Sequence, residues 1–200
     1  MKPEETRRAL TRVIANELGF EAHGPHLIRC ASDDVVHVIR PLTSKVRGEP
    51  EIGCHVSLWL HSQRFSELVA ELSGKPMNAF GSVFGTNLST LTPSRREYEF
   101  DSSFFGPGAA KEVLLDLQRY GLPWLAKFRT VRDLRGGLVN HGIRDTMNQV
   151  YACLDYLLDD RSQALQHIVI AQRDLENRTD DFAVEQRQLL GRLSEKLRST

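Results

Sequence analysis

The sequence predicts an α+β fold: an antiparallel sheet of about four to five strands with packed helices, followed by a C-terminal helical hairpin or three-helix extension. Three observations predict it. In the stretch 52–61, IGCHVSLWLH, apolar Ile52, Cys54, Val56, Leu58 and Leu60 alternate with Gly53, His55, Ser57, Trp59 and His61. A period of two marks a strand, because successive side chains leave a pleated backbone on opposite faces. The apolar set belongs on the core. The other set is expected to be exposed or to cover a groove. Several further segments repeat apolar residues at helical spacing, and beyond Gly142 strand signals vanish. The expected division is therefore an α+β domain over 1–141 and a helical extension over 142–200, packed on it.

Pro3 opens a helix where its missing N–H costs nothing, and Glu4 and Glu5 favour the positive helix terminus. Leu10, Val13, Ile14 and Leu18 follow at helical spacing, Gly19 caps the end, and Phe20 folds back onto the helix. His26–Ala31 and Val35–Leu42 read as strands joined by the turn Ser32-Asp33-Asp34. Pro41 cannot donate to a ladder, so the second strand ends there or lies at an edge. Thr43 to Glu51, with Gly48 and Pro50, reads as a polar loop leading into the central strand.

Phe65, Leu68, Val69 and Leu72 make a short helix stopped by Ser73-Gly74 and Pro76. The pattern over 74–105 is poor; strands over about Val83–Leu91 and Glu97–Phe100 fit it best, with Gly81, Gly85 and Pro93 as interruptions. After Gly106-Pro107-Gly108, a helix carries Ala110, Val113, Leu114 and Leu117 on one face and ends at Gly121 and Pro123. Trp124, Leu125 and Phe128 form an apolar knot. Thr130 and Asp133 read as a capping box for a short helix ending at Gly136-Gly137. Three helices follow. The first uses Met147, Val150, Tyr151, Leu154 and Leu157, and the second Leu165, Ile168, Val169 and Leu175. The third carries Ala183, Gln186, Leu190, Leu193 and Leu197 in a seam like that of a coiled coil, expected to pack on the second helix.

Lys+Arg and Asp+Glu both number 26, so no global field draws nucleic acid or an anionic membrane. Cys30, Cys54 and Cys153 are odd in number and scattered, which argues against a disulfide framework or a zinc motif. The charged start MKPEETRR does not read as a signal peptide, and no run approaches the roughly 18 apolar residues of a membrane span. The expected location is the cytoplasm.

Five stretches resemble a known family: ELGFEAHGPHLIR, DVVHVIR, HVSLWLHSQRF, LSTLTPSRREYEFD and LLDLQRYGLPWLAKF. They lie between Glu17 and Phe128 and are similar to the uncharacterised, largely bacterial family called domain of unknown function 4304, a resemblance taken to cover roughly residues 8 to 135. The resemblance implies the same α+β fold and no activity, since none of these stretches is a catalytic signature.

Candidate chemistry is sparse. His37 and His55 invite a metal reading, but His55 and His61 are about 20 Å apart on a strand at ~3.3 Å per residue, too far to share one ion. No nucleophile elbow or phosphate loop occurs, and the Gly106–Gly108 turn before a helix is explained by turn chemistry. Arg95, Arg96, Arg7, Arg8 and Arg12 form local basic patches that read as solvated faces. Trp59, on the non-core face of the strand, is the residue most suggestive of binding. The expected function is non-enzymatic: a cytoplasmic protein-interaction or regulatory domain, of immunity type by analogy, without cofactor, nucleic acid or membrane. The partner is another protein or a second copy through the C-terminal helices. The expected surface comprises His37, Arg40, His55, Trp59, Leu190, Leu193 and Leu197. The alternative is a small-molecule hydrolase or other enzyme with its site on the polar face of the central strand.

Overall fold

The computed structural model describes residues 2–45, 51–77, 82–94, 97–101, 108, 110–140 and 147–199. Gly48, Pro50, Gly81, Arg95, Arg96, Gly106, Pro107 and Gly142, which figured in the sequence reading, lie outside the described residues. The fold is α+β: a six-stranded antiparallel sheet accompanied by helices that include the C-terminal ones. The chain forms two compact units, Met1–Leu60 with Phe84–Lys127, and His61–Val83 with Phe128–Thr200.

The first unit begins with α1, Pro3–Leu18, capped by Gly19 at φ +67°. Leu10 and Ile14 are fully buried, and Phe20 is buried too, its N–H bonded to the Ala15 carbonyl at 3.2 Å. β1 (Glu21–His23), β2 (His26–Cys30) and β3 (Val35–Lys45) then pair in sequence. Ser32 closes the β2–β3 turn, its hydroxyl accepting from Val35 N–H at 3.0 Å, while Ala31 N–H reaches the Val35 carbonyl at 2.8 Å. α1 packs on β3, and Thr43 donates to the Pro3 carbonyl at 2.7 Å.

Pro41 neither ends β3 nor marks a sheet edge. β3 lies between β2 and β4 and runs on to Lys45, absorbing the start of the predicted polar loop. The proline stands beyond Ile39, the last β3 residue in register with β2.

β4, Glu51–Ser62, is the central strand, and β5 (Ser82–Asn87) and β6 (Tyr98–Asp101) both pair with it. Ile52, Cys54, Val56, Leu58 and Leu60 are all buried, as the alternation predicts. The second face departs from expectation, since Gly53, Ser57 and His61 are buried as well and His55 is half-buried. β4 pairs with β3, β5 and β6 and so lies in the interior of the sheet.

Residues 88–91 are not the end of a strand but a single helical turn, α3 (Leu88–Leu91). Nor do Gly121 and Pro123 stop a helix. α4 (Lys111–Asp116) continues through a π-helical turn, Leu117–Gly121, into α5 (Leu122–Leu125). Leu122 N–H bonds the Leu117 carbonyl, five residues back, and this widened turn accommodates Pro123. Gly121 has a packing reason: a Cβ there would stand 3.0 Å from Leu117, 3.3 Å from Leu88 and 3.4 Å from Leu58.

In the second unit, α2 (Gln63–Ser73) starts on Ser62, whose hydroxyl accepts from Phe65 N–H at 3.1 Å, and ends at Gly74 with φ +69°. α6 (Val131–Asn140) opens on the predicted capping box: Asp133 N–H donates to Thr130 Oγ1 at 3.1 Å and Thr130 N–H to Asp133 Oδ2 at 2.9 Å. It runs through Gly136-Gly137 instead of ending there, because fully buried Leu138 adds packing that outweighs the glycine penalty of about 1 kcal/mol each. α7 (Asn148–Leu157), α8 (Arg161–Leu175) and α9 (Asp181–Ser199) complete the unit. α9 packs on α2, α7 and α8, with Arg192 donating to the Leu72 carbonyl at 2.7 Å and Lys196 paired with Glu71 at 2.6 Å.

Candidate functional site

The seven residues expected to form an interaction surface differ in their exposure. Leu190, Leu193 and Leu197 are buried within their own unit, where α9 packs on α2, α7 and α8. His37 is buried, and it leaves β3 on the face opposite to half-buried Arg40, because the two positions differ in parity. His55 and Trp59 share a face of β4. His55 Nε2 lies 3.1 Å from a Glu97 carboxylate oxygen, and neighbouring Ser57 donates to Asn87 Oδ1 at 2.9 Å. Only Trp59 is a large exposed aromatic there, 38 % accessible. Gly53, Ser57 and His61, on the same face, are buried.

The densest polar constellation is one that sequence reasoning missed. Asp155 of α7 is buried, and its Oδ1 accepts from Arg135 Nε of α6 at 2.6 Å. Its Oδ2 lies 2.8 Å from His167 Nδ1 of α8. Tyr151 completes the cluster. The Arg135 guanidinium sits 4.4 Å from its ring centroid, and His167 stacks on it at 5.1 Å. A carboxylate that orients an imidazole is half of a nucleophile-activating arrangement. Cys153, on the same helix, is buried, and burial pushes its thiol up to about 12. The node braces three helices. Its sequence signal was a lone aspartate inside the apolar stretch YACLDYLL, where burial demands partners.

Two other features of this unit face outward. A cleft of about 500 Å³ is lined by Phe65, Val69, Leu72 and Leu189, together with the Lys75–Glu185 ion pair at 2.7 Å. The other is the outer side of α8. This helix buries Ala164, Ile168, Ala171 and Leu175, leaving Leu165 39 %, Val169 64 % and Ile170 38 % exposed. Leu165 and Val169, expected in the core, are thus on the surface. Small alanines let neighbouring helices approach closely, so they take the inner side and the larger residues are turned out.

Among the described residues there is no group of three or more His, Cys, Asp or Glu able to hold a metal ion, and no helix long and apolar enough to cross a membrane. Comparison with family models, curated proteins and solved structures finds no match to this chain.

Proposed function

We propose that the chain is a non-enzymatic protein-binding domain, regulatory in role and cytoplasmic in setting, whose contact face is the outer side of α8. The observation that supports it is the sequence of that face. Arg161, Leu165, Val169 and Arg173 follow one another at spacings of four, so they lie along one side of the helix, two apolar residues between two cations. Exposed, clustered apolar side chains are unusual on a well-packed helix and anchor protein contacts. The flanking arginines select a partner that sets an apolar ridge between acidic groups.

A second copy of this chain fits poorly. Antiparallel pairing centred on the stripe would set Arg161 against Arg173 of the other copy, and parallel pairing would set like residues together. Both oppose like charges. The reading thus favours a different, acidic-rimmed protein over a homodimer.

A photo-crosslinking residue at position 169 of the full chain, used in an extract of the source cells, tests it. One discrete adduct should form, be competed away by excess wild-type chain and resist competition by Val169→Glu. Equal competition by both, or no adduct, would overturn the reading.

A further inference from the structure

Cations crowd one cleft of the sheet-containing unit with few acids to answer them. The cleft, about 540 Å³, is lined by Arg7, Arg8 and Arg12 of α1, with Thr11, Asn16 and Phe20 beside them. Among the residues lining it, Glu4 is the sole acid. Its Oε1 accepts from Arg7 at 2.6 Å and from Arg8 at 3.1 Å. Arg12 has no carboxylate partner among the described residues. Three guanidinium groups against one carboxylate leave two positive charges, on a chain whose formal charge is zero.

The surroundings add to the imbalance. Arg29 lies 4.5 Å over the Phe20 ring, and burial lowers its pKa. His26 is held below the ordinary histidine value by burial and then by the charges of Arg40 and Arg7. Oγ1 of Thr11, which lines the cleft and is only 5 % exposed, is buried without a hydrogen-bond partner among the described residues, as is Nε of Arg40, outside the lining. Like charges brought together and partly desolvated destabilise a fold unless an anion offsets them.

We propose that this cleft binds a small phosphomonoester, its phosphate held between Arg8 and Arg12. The two residues are four apart and therefore neighbours on one helix face. Guanidinium forks match phosphate oxygens bidentately, and a monoester near pH 7 carries about −1.5 to −2 charges, which balances the surplus. The cleft volume falls in the range of roughly 300–1,000 Å³ typical of small-ligand sites. The cations are gathered in one place on a neutral chain, whereas a nucleic-acid backbone is tracked by an extended basic stripe.

Calorimetric titration of the full chain at fixed ionic strength, with phenyl phosphate and inorganic phosphate as probes, tests this. Both should saturate a single site. Arg12→Ala should weaken binding about tenfold or more, as expected for loss of a charge-assisted hydrogen bond. Arg178→Ala, in the other unit, should leave it unchanged. Arg12 is exposed, so its truncation spares the core. Absence of binding at millimolar probe, or equal affinity in Arg12→Ala, would overturn the proposal. So would tighter binding of a short single-stranded oligonucleotide with a steep salt dependence, which would make the cleft a polymer site.

Discussion

The indole of Trp59 lies so close over Gly85 that a Cβ at residue 85 would stand 2.5 Å from Trp59 Cε3. It would also collide with the Leu58 carbonyl, a backbone atom that cannot swing aside. Trp59 is therefore an exposed aromatic held in place by a glycine on the neighbouring strand. Gly85→Ala should destabilise the protein by about 1–3 kcal/mol, the usual cost of overpacking, and should shift tryptophan fluorescence. Urea denaturation with an unchanged midpoint would show that Trp59 is free to move.

Leu58 meets the same strand's other neighbours. It is fully buried, and its Cδ1 is within contact range of Gly121 in the π-helical turn. Leu58→Ala should cost about 2–5 kcal/mol, transfer and cavity together. A loss below about 1 kcal/mol in chemical denaturation would mean that β4 is peripheral to stability.

Removal of the Asp155 carboxylate leaves Arg135 and His167 facing each other without an anion. Asp155→Ala is expected to cost about 3 kcal/mol, at the lower end for a broken buried pair because both partners keep some contact with water. Thermal melting and denaturant titration would measure it. A change within error would show the node to be dispensable.

The three cysteines differ in environment. Cys30 is exposed, while burial pushes the thiols of Cys54 and Cys153 up to about 12. Because the thiolate is the reactive form, a colourless disulfide reagent that releases a chromophore should titrate Cys30 rapidly in the folded chain. Cys54 and Cys153 should react only after unfolding. Rapid reaction of either one in native buffer would contradict the packing described for it.

The sheet's core was legible because β4 alternates without a break and Gly19, Gly74 and the Thr130–Asp133 box punctuate their helices where expected. What escaped had weak local signals. β1 is short and exposed throughout, so no apolar pattern marks it. Gly121, Pro123 and Gly136-Gly137 read as stops because propensity is local, while burial of Leu125 and Leu138 is not. On α8, counting large apolar residues chose Leu165 and Val169 for the core, and the structure chose alanines. The candidate contact face was invisible for that same reason. The Asp155 node needed three helices to be placed together before its residues became neighbours.

The contact face proposed on α8 depends on the orientation of that helix, Ala164 inward and Val169 outward. The most direct measurement compares thiol reactivity at Val169→Cys and Ala164→Cys, each in a Cys30→Ser chain. The account predicts that the thiol at 169 reacts at nearly the rate of an unstructured peptide and that the thiol at 164 reacts only on unfolding. Fast reaction at 164 with protection at 169, or equal protection at both, would contradict it.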